Sequence, residues 1–159
     1  MEYALEAFTK LASAASVRDL VLVSQQSARQ ILSAEKAYLF LHKENKIIRY
    51  TEQGEEIFED NIGLVGKCIS ERKKLNIPDA YNDPSFNFIV DIQTSMPVLC
   101  LPLKINSGEV IAVLEVVNAK GIQGRSSTNK AKLNQVDHGI LQRFREILRI
   151  SITHKLGLN

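Results

Sequence analysis

The chain has 159 residues, of which 45% are apolar and 24% charged, and these values are typical of one globular domain. Its 20 basic and 18 acidic residues give a net charge of +2, which is too small to indicate a nucleic-acid partner. Two cysteines do not form a disulfide framework or a metal site, and no apolar run approaches the length of a membrane span, about 20 residues. We therefore expect a cytoplasmic protein without metal or membrane contacts.

The first part of the chain is predicted to be helical. Apolar residues recur at helical spacing from Ala4 to Ala15. A second helix is predicted to begin after Ser16, a favourable N-cap residue, with Asp19 three residues later as a variant of the capping box. These two helices would occupy residues 1–33.

Two strands joined by a tight turn are predicted next. Residues 37–41 are apolar and aromatic, and residues 47–51 form a second run of the same kind. Residues 44–46 between them have turn composition, so the two strands are expected to form a hairpin. The polar residues 53–61 predict a loop with one short strand around Ile57.

The middle of the chain combines a short helix with a structured loop. Asn61 is the expected cap of a helix that contains Val65 and Cys68. A strand then runs into Pro78, which fixes its own φ and disfavours helical geometry at Ile77. Turn-forming residues follow, so we expect residues 78–97, which we call the lid, to form a structured loop. Loops held on a rigid sheet often carry small-molecule sites.

The last third contains two strands and a helix. Residues 98–103 predict a buried strand in which Pro102 indicates an edge position or a bulge. A turn at residues 106–109 leads to residues 110–117, the most apolar strand of the chain. Residues 119–135 are predicted to be a mobile loop, and Asn134 to cap a final helix over residues 136–156.

This order of elements predicts an α+β fold. We expect one domain over residues 1–159, with a central antiparallel sheet within residues 34–118. The N- and C-terminal helices would pack on one face of that sheet, and a ligand pocket would lie under loops on the other face.

Three ordered segments resemble one known family. They are N-I-P-D-A-Y-N-D-P-S-F-N at residues 76–87, L-C-L-P-L at residues 99–103 and G-E-V-I-A-V-L-E-V-V-N at residues 108–118. Together they resemble GAF domains of the cyclic-nucleotide phosphodiesterase and adenylyl cyclase type. The resemblance implies a GAF fold that senses a small molecule, a cyclic purine nucleotide such as cGMP or cAMP, within a larger phosphodiesterase- or cyclase-like signalling protein. Ligand would order the lid and shift the terminal helices.

The resemblance also implies site residues. A carboxylate at Asp91 would meet the purine edge, the Thr94 hydroxyl would hold the base or phosphate side, and Glu115 would reach the ligand from a buried strand. Strand alternation alone allows Glu115 to face solvent instead, and Asp91 to be an ordinary loop or cap acid. The implied ligand-binding set is Asp91, Thr94, Glu115, Tyr50, Leu64, Val65 and Tyr38, and the lid and motif set is Asn76, Pro78, Asp79, Tyr81, Asn118, Lys120 and Asp137.

Two other functions remain open. Apolar stripes on the terminal helices also suit a degenerate GAF domain that acts as a dimerisation or scaffold module, and a homodimer through these helices is expected in either case. One GAF subgroup reduces free methionine sulfoxide with cysteines, but Cys68 and Cys100 do not stand in that subgroup's loop pattern. The three histidines are scattered and expected at the surface, so we predict no catalytic residue, no enzyme activity of this domain and no cofactor besides the possible nucleotide.

Overall fold

The computed structural model describes residues 10, 11, 13–119 and 130–158, with side chains in the last range at Gly139 and from residue 142 onward. Most of the first predicted helix therefore lies outside the described residues. The described elements are α1 (Val17–Ile31), β1 (Lys36–Lys43), β2 (Lys46–Thr51), β3 (Gly54–Glu59), α2 (Gly63–Glu71), β4 (Leu75–Ile77), a 3-10 turn (Ala80–Asn82), β5 (Val98–Lys104), β6 (Val110–Val117) and α3 (Lys130–Leu156).

Six strands form one sheet in the order β3-β2-β1-β6-β5-β4, which with the helices confirms the predicted α+β fold and antiparallel sheet. The described residues fall into two compact units, one of residues 38–117 and the other of the flanking segments. In the first unit, α2 and part of the lid cover a core of apolar side chains from the sheet, including Phe40, Ile47 and Val113. This unit holds all seven residues expected to contact ligand.

The hairpin of β1 and β2 is confirmed, and its register pairs Phe40 with Arg49. Its two turn residues, Glu44 and Asn45, have φ values of 53° and 63°, the left-handed geometry that matches the twist of a two-residue hairpin. The polar stretch after β2 is more regular than predicted, because Gly54–Glu59 forms a full edge strand. A strand at the rim of a sheet keeps most side chains in water, so its polar composition does not prevent pairing.

Three helix caps were predicted, at Ser16, Asn61 and Asn134, and the structure confirms the one at Ser16. The Ser16 hydroxyl accepts a hydrogen bond from the Asp19 amide over 3.0 Å and caps α1. In contrast, Asn61 does not cap α2, because that helix begins at Gly63 after Ile62, whose side chain forms no cap. The prediction for Asn61 was wrong, and the group that caps α2 instead is part of the candidate site.

Pro102 lies within β5, in a part of the strand that β4 does not cover, which agrees with the edge position or bulge expected for a proline in a strand. The short strand β4 pairs only with the first three residues of β5, Val98 to Cys100. Pro102 therefore needs no N–H toward β4, and on its other side it is the register partner of Val113 in β6. A register irregularity follows between Leu103 and Lys104. The turn before β6 uses Gly108 at a φ of 89°.

The final helix starts earlier than expected. Helix α3 spans Lys130–Leu156, so residues 130–135 are helical and Asn134 lies inside the helix instead of capping it. The run Lys130–Leu133 consists of good helix formers, which explains why the helix extends into the polar stretch. Residues 120–129 and the side chain of Asp137 lie outside the described residues, so the motif roles expected of Lys120 and Asp137 stay predictions.

Three further features complete the fold. Helices α1 and α3 contact each other within the unit of flanking segments, where the Asn118 amide also donates to Glu35 Oε1 over 3.2 Å. His42 was expected at the surface, but its side chain is only 14% exposed. Its Nδ1 lies 2.6 Å from the Val110 oxygen and its Nε2 lies 2.9 Å from Asp60 Oδ2. Among the described residues, no helix combines the length and apolar character needed to cross a membrane.

Candidate functional site

Two acidic side chains are buried together in the unit of residues 38–117. Glu115 on β6 has no exposed surface, and Asp91 in the lid is 3% exposed. All eight residues of β6 are buried, so alternation along this strand does not place Glu115 in solvent. Because a buried carboxyl group needs hydrogen-bond partners, the surroundings of these two residues define the candidate site.

Asp91 connects the lid to the start of α2. Its Oδ2 atom accepts hydrogen bonds from the backbone amides of Leu64 at 2.8 Å and of Asn87 at 2.9 Å. Leu64 is the second residue of α2, so a carboxylate from the lid satisfies an amide that the helix itself leaves unpaired. Its negative charge also faces the positive end of the helix. Asp91 is thus the cap that the sequence assigned to Asn61.

Gly63 makes room for this cap. A side-chain Cβ atom at this position would lie 2.8 Å from Asp91 Oδ2, closer than real Cβ contacts. The φ of Gly63 is 79°, a backbone conformation that favours glycine. Glycine is therefore required at position 63 for two reasons: a side chain would collide with the Asp91 carboxylate, and the backbone has a positive φ.

Glu115 connects the lid to the centre of the sheet. Its Oε1 atom accepts a hydrogen bond from the Ile92 amide over 2.9 Å, and its Oε2 atom lies 3.8 Å from the Cys100 thiol. Burial raises the pKa of the Glu115 carboxyl well above its usual value, and the charge of Asp91 and a hydrogen bond with it raise this pKa further. This buried place therefore favours the protonated form of Glu115.

The two carboxyl groups complement each other when they hold one proton between them. Asp91 Oδ1 is buried and has no other hydrogen-bond partner in the described part of the chain. A protonated Glu115 carries the O–H donor that Asp91 Oδ1 lacks, and two ionised groups would repel each other in this buried place. The hydrogen bonds of these two side chains fasten the lid to α2 through Asp91 and to β6 through Glu115.

Two thiols are buried in the core of this unit, and that of Cys100 lies beside Glu115. Cys68 on α2 and Cys100 on β5 are both free and buried. Burial, and then the charge of Glu115, raise the pKa of the Cys100 thiol well above its usual value. Because the thiolate is the reactive form of cysteine, this environment keeps Cys100 unreactive.

Arg49 forms a third attachment of the lid, one that the sequence analysis missed. From β2 it donates through Nη1 to the Val90 oxygen at 2.7 Å and through Nη2 to the Ile89 oxygen at 3.2 Å. Its guanidinium carbon lies 5.4 Å from the ring centre of Tyr38, and the rings of Phe40 and Phe58 are at 5.8 Å and 5.2 Å. A cation in an aromatic surround of this kind is favourably held.

The seven predicted ligand-binding residues are only partly brought together. Asp91, Glu115 and Leu64 are joined by the hydrogen bonds above, and Val65 is buried in the same core. Tyr38 packs against Arg49 and, edge to face, against Phe40 with ring centres 6.4 Å apart. The Thr94 hydroxyl accepts a hydrogen bond from the Met96 amide over 3.0 Å, and Tyr50 is half-buried on β2.

Most of the predicted lid residues are exposed. Asn76, Pro78 and Asp79 face solvent, and Asp79 accepts a hydrogen bond from the Asn82 side chain. Tyr81 is 44% exposed and packs edge to face with Phe86, with ring centres 5.2 Å apart. The lid therefore has an aromatic outer surface and a polar inner anchor at Asp91.

An open groove of about 520 Å³ runs along the seam between α2 and the lid. Gly63 and Asn87, which both contact the Asp91 carboxylate, also line this groove. Lys67 and Asp83 span the seam with an ion pair of 3.7 Å. Access to the acid pair from this side thus requires the lid and α2 to separate.

Comparison with known proteins gives a family match and a partial relative. A family model described as the GAF domain matches residues 18–146. A segment of 59 residues, 35% of this chain, is 41% identical to the dual 3',5'-cyclic-AMP and -GMP phosphodiesterase 11 of Drosophila melanogaster. The match covers only 4% of that relative's length.

Solved structures share the fold at low identity. The GAF domain of an Acinetobacter phosphoenolpyruvate-protein phosphotransferase matches with a TM-score of 0.74 at 16% identity, covering 99% of this chain and 95% of that one. The GAF domain of A. aeolicus nlh2 matches with a TM-score of 0.70 at 16% identity, covering 97% and 95%. The free methionine-R-sulfoxide reductase of Neisseria meningitidis matches with a TM-score of 0.58 at 12% identity, and the match covers 94% of this chain and 90% of that one.

Proposed function

The chain belongs to the GAF domain family, and from this premise we propose that it is a regulatory domain whose ligand is a cyclic purine nucleotide. Family membership makes it a sensor domain, as the three sequence motifs indicated. The segment similar to a dual cyclic-AMP and -GMP phosphodiesterase supports the nucleotide as ligand and a phosphodiesterase-type protein as its context. The solved neighbours are varied and support the fold alone.

One observation carries the proposal. The lid is fastened to α2 and to β6 by Asp91 and Glu115, two acids that the sequence motifs placed at the ligand. The N–H groups of a purine would compete for the same carboxyl oxygens as the amides of Leu64 and Ile92. Because the lid backbone depends on those oxygens, binding would move the lid, which is how a ligand shifts a conformational equilibrium.

The same arrangement explains how such a site would distinguish a purine from other ligands. A purine displays donors and acceptors around its rim, and a ligand that leaves a buried carboxyl unpaired loses affinity. In this proposal Tyr38, Tyr50 and Thr94 complete the wall around the base. Leu64 and Val65 present the first turn of α2 to the phosphate, so Asp91 must release the Leu64 amide when the phosphate arrives.

Calorimetric titration of the chain with cGMP and with cAMP tests the proposal. We expect binding heat with at least one of them, and its loss in Glu115→Ala. The matched control is Glu55→Ala, an exposed acid on the edge strand β3, which should bind as the wild type does. Absence of heat with both nucleotides at millimolar concentration would end the nucleotide proposal.

A second candidate function is favoured by the packing around the acid pair. Val65, Phe40 and Glu115 are completely buried, and the anion position at the start of α2 is taken by Asp91. A domain filled in this way suits a dimerisation or scaffold module, for which Ile150 on α3 is a large apolar side chain with 47% exposure. Light scattering at high concentration tests it: a dimer that Ile150→Glu dissociates supports this function, and a monomer contradicts it.

A further inference from the structure

Arg49 occupies a flat slot between the sheet and the lid. One side of the slot consists of the rings of Tyr38 and Phe58, and its far edge consists of the carbonyl oxygens of Ile89 and Val90. The Arg49 side chain is only 11% exposed, and its Nε atom donates to Glu56 at 2.9 Å. The slot therefore holds a planar group whose edge donates hydrogen bonds and whose central carbon lies 5.2 Å and 5.4 Å from two aromatic ring centres.

This place coincides with the nucleotide site proposed above. Tyr38 is one of the residues that the motifs placed at the base, and Arg49 now covers its ring at 5.4 Å. Val90 directly precedes Asp91, so the slot and the acid pair meet at adjacent residues of the lid. A base that packs on Tyr38 under the lid cannot do so while Arg49 remains there.

We propose that Arg49 is a built-in competitor for the base and that the slot it occupies favours guanine over adenine. The inference rests on the proposed function, because it concerns the same nucleotide site. Arg49 fastens the lid when no base is bound, and the base takes over its contacts with the rings and with the two carbonyl groups. Arg49 thus sets both the affinity and the selectivity of the domain.

The preference for guanine follows from the donors that the slot satisfies. Guanine contains a guanidine unit, since its N1–H and its N2 amino group are attached to one carbon and point in the same direction. These donors match the two lid carbonyls that now accept from Arg49 Nη1 and Nη2. Adenine has an acceptor at N1, which would face a carbonyl oxygen and leave it unpaired at a cost in affinity.

The first test compares nucleotide affinity in Arg49→Ala and wild type by calorimetry on the full chain. We expect the substitution to tighten cGMP binding by about tenfold, because the fraction of molecules with an open slot rises. The affinity for cAMP should rise less. The matched control, Lys46→Ala, removes an exposed cation from the same strand and should leave both affinities unchanged. Unchanged or weaker cGMP binding in Arg49→Ala, or an equal gain for both nucleotides, overturns the inference.

A second test separates the slot from the proposed function. Methylguanidinium carries the donors of the missing side chain, so it should raise the melting temperature of Arg49→Ala at concentrations where methylammonium does not, and should leave wild type unaffected. If neither nucleotide binds either protein, the proposed function fails while this test still decides on the slot. Equal shifts with the two cations show that the slot has no guanidine selectivity. Arg49→Met, which keeps the apolar stem on the rings, replaces Arg49→Ala in both tests if the alanine variant does not fold.

Discussion

The carboxylate of Asp91 caps the helix that begins before Leu64, although 27 residues separate the two in sequence. The helix α2 has no side-chain cap of its own, so its first free amides depend on the lid. Removal of the lid from the sheet therefore exposes an uncapped helix end, and the stability of α2 and the position of the lid are linked.

Substitution of Asp91 should cost more stability than substitution of another lid acid. We expect Asp91→Ala to lower the free energy of unfolding by about 1–2 kcal/mol, because the amides of Leu64 and Asn87 lose their acceptor. Asp91→Asn keeps an acceptor and should cost less. Asp79→Ala, at an exposed lid acid, is the control and should stay within about 0.5 kcal/mol of wild type. Urea unfolding measures all three, and equal losses in Asp91→Ala and Asp79→Ala would contradict the capping role.

Glu115 should make the stability depend on pH with a defined sign. Its pKa in the folded protein lies above its usual value of 4.5, so its favourable contribution is complete below 4.5 and is lost as the pH rises through the higher folded value. Glu115→Gln keeps an acceptor for the Ile92 amide and supplies a donor to Asp91 without titrating. Urea unfolding from pH 5 to pH 8 should show wild type losing stability relative to Glu115→Gln as the pH rises. Parallel curves for the two proteins would show that Glu115 is not held neutral.

A methyl group at Gly63 should separate the lid from α2. Gly63→Ala places its Cβ atom 2.8 Å from Asp91 Oδ2 and at a φ of 79°, and we expect a loss of at least about 1 kcal/mol. Gly139→Ala is the matched control, because nothing lies within 4 Å of its Cβ position in α3. That change should stabilise the protein by about 0.5–1 kcal/mol, since alanine is the better helix former. Thermal unfolding that shows the same sign for both variants would be inconsistent with this geometry.

The two cysteines should be protected from thiol reagents in the folded protein. Both side chains are buried, and burial also raises the pKa of Cys100, so little thiolate is available. We expect Ellman's reagent to react slowly in native buffer and to detect both thiols at once in urea. Rapid reaction of one thiol without denaturant would show that the lid opens far more often than its three attachments indicate.

Features decided by neighbouring residues could be predicted from the sequence. The hairpin turn at Glu44 and Asn45, the cap at Ser16 and the bounds of β6 depend on local backbone preference and on runs of apolar side chains. The three ordered segments at residues 76–87, 99–103 and 108–118 together resembled the GAF family, and the family model confirms that resemblance.

Features decided by distant contacts could not be predicted in this way. Arg49 lies 41 residues from Val90, and its position between apolar residues of the strand β2 gives no sign that its charge points under the lid. The start of α2 was misplaced for the same reason, since the sequence offers Asn61 as a cap and does not reveal that a later carboxylate takes the role. The edge strand β3 was underestimated because its pairing with β2 outweighs its polar composition.

Both edge strands of the sheet have features that discourage pairing with strands from other molecules. On one rim, β3 carries the exposed acids Glu55 and Glu56, and charge along an open edge discourages an incoming chain. On the other rim, β4 is only three residues long, and beyond it Pro102 offers no amide to a further strand. Addition of strands from other molecules is thereby disfavoured at both edges of the sheet.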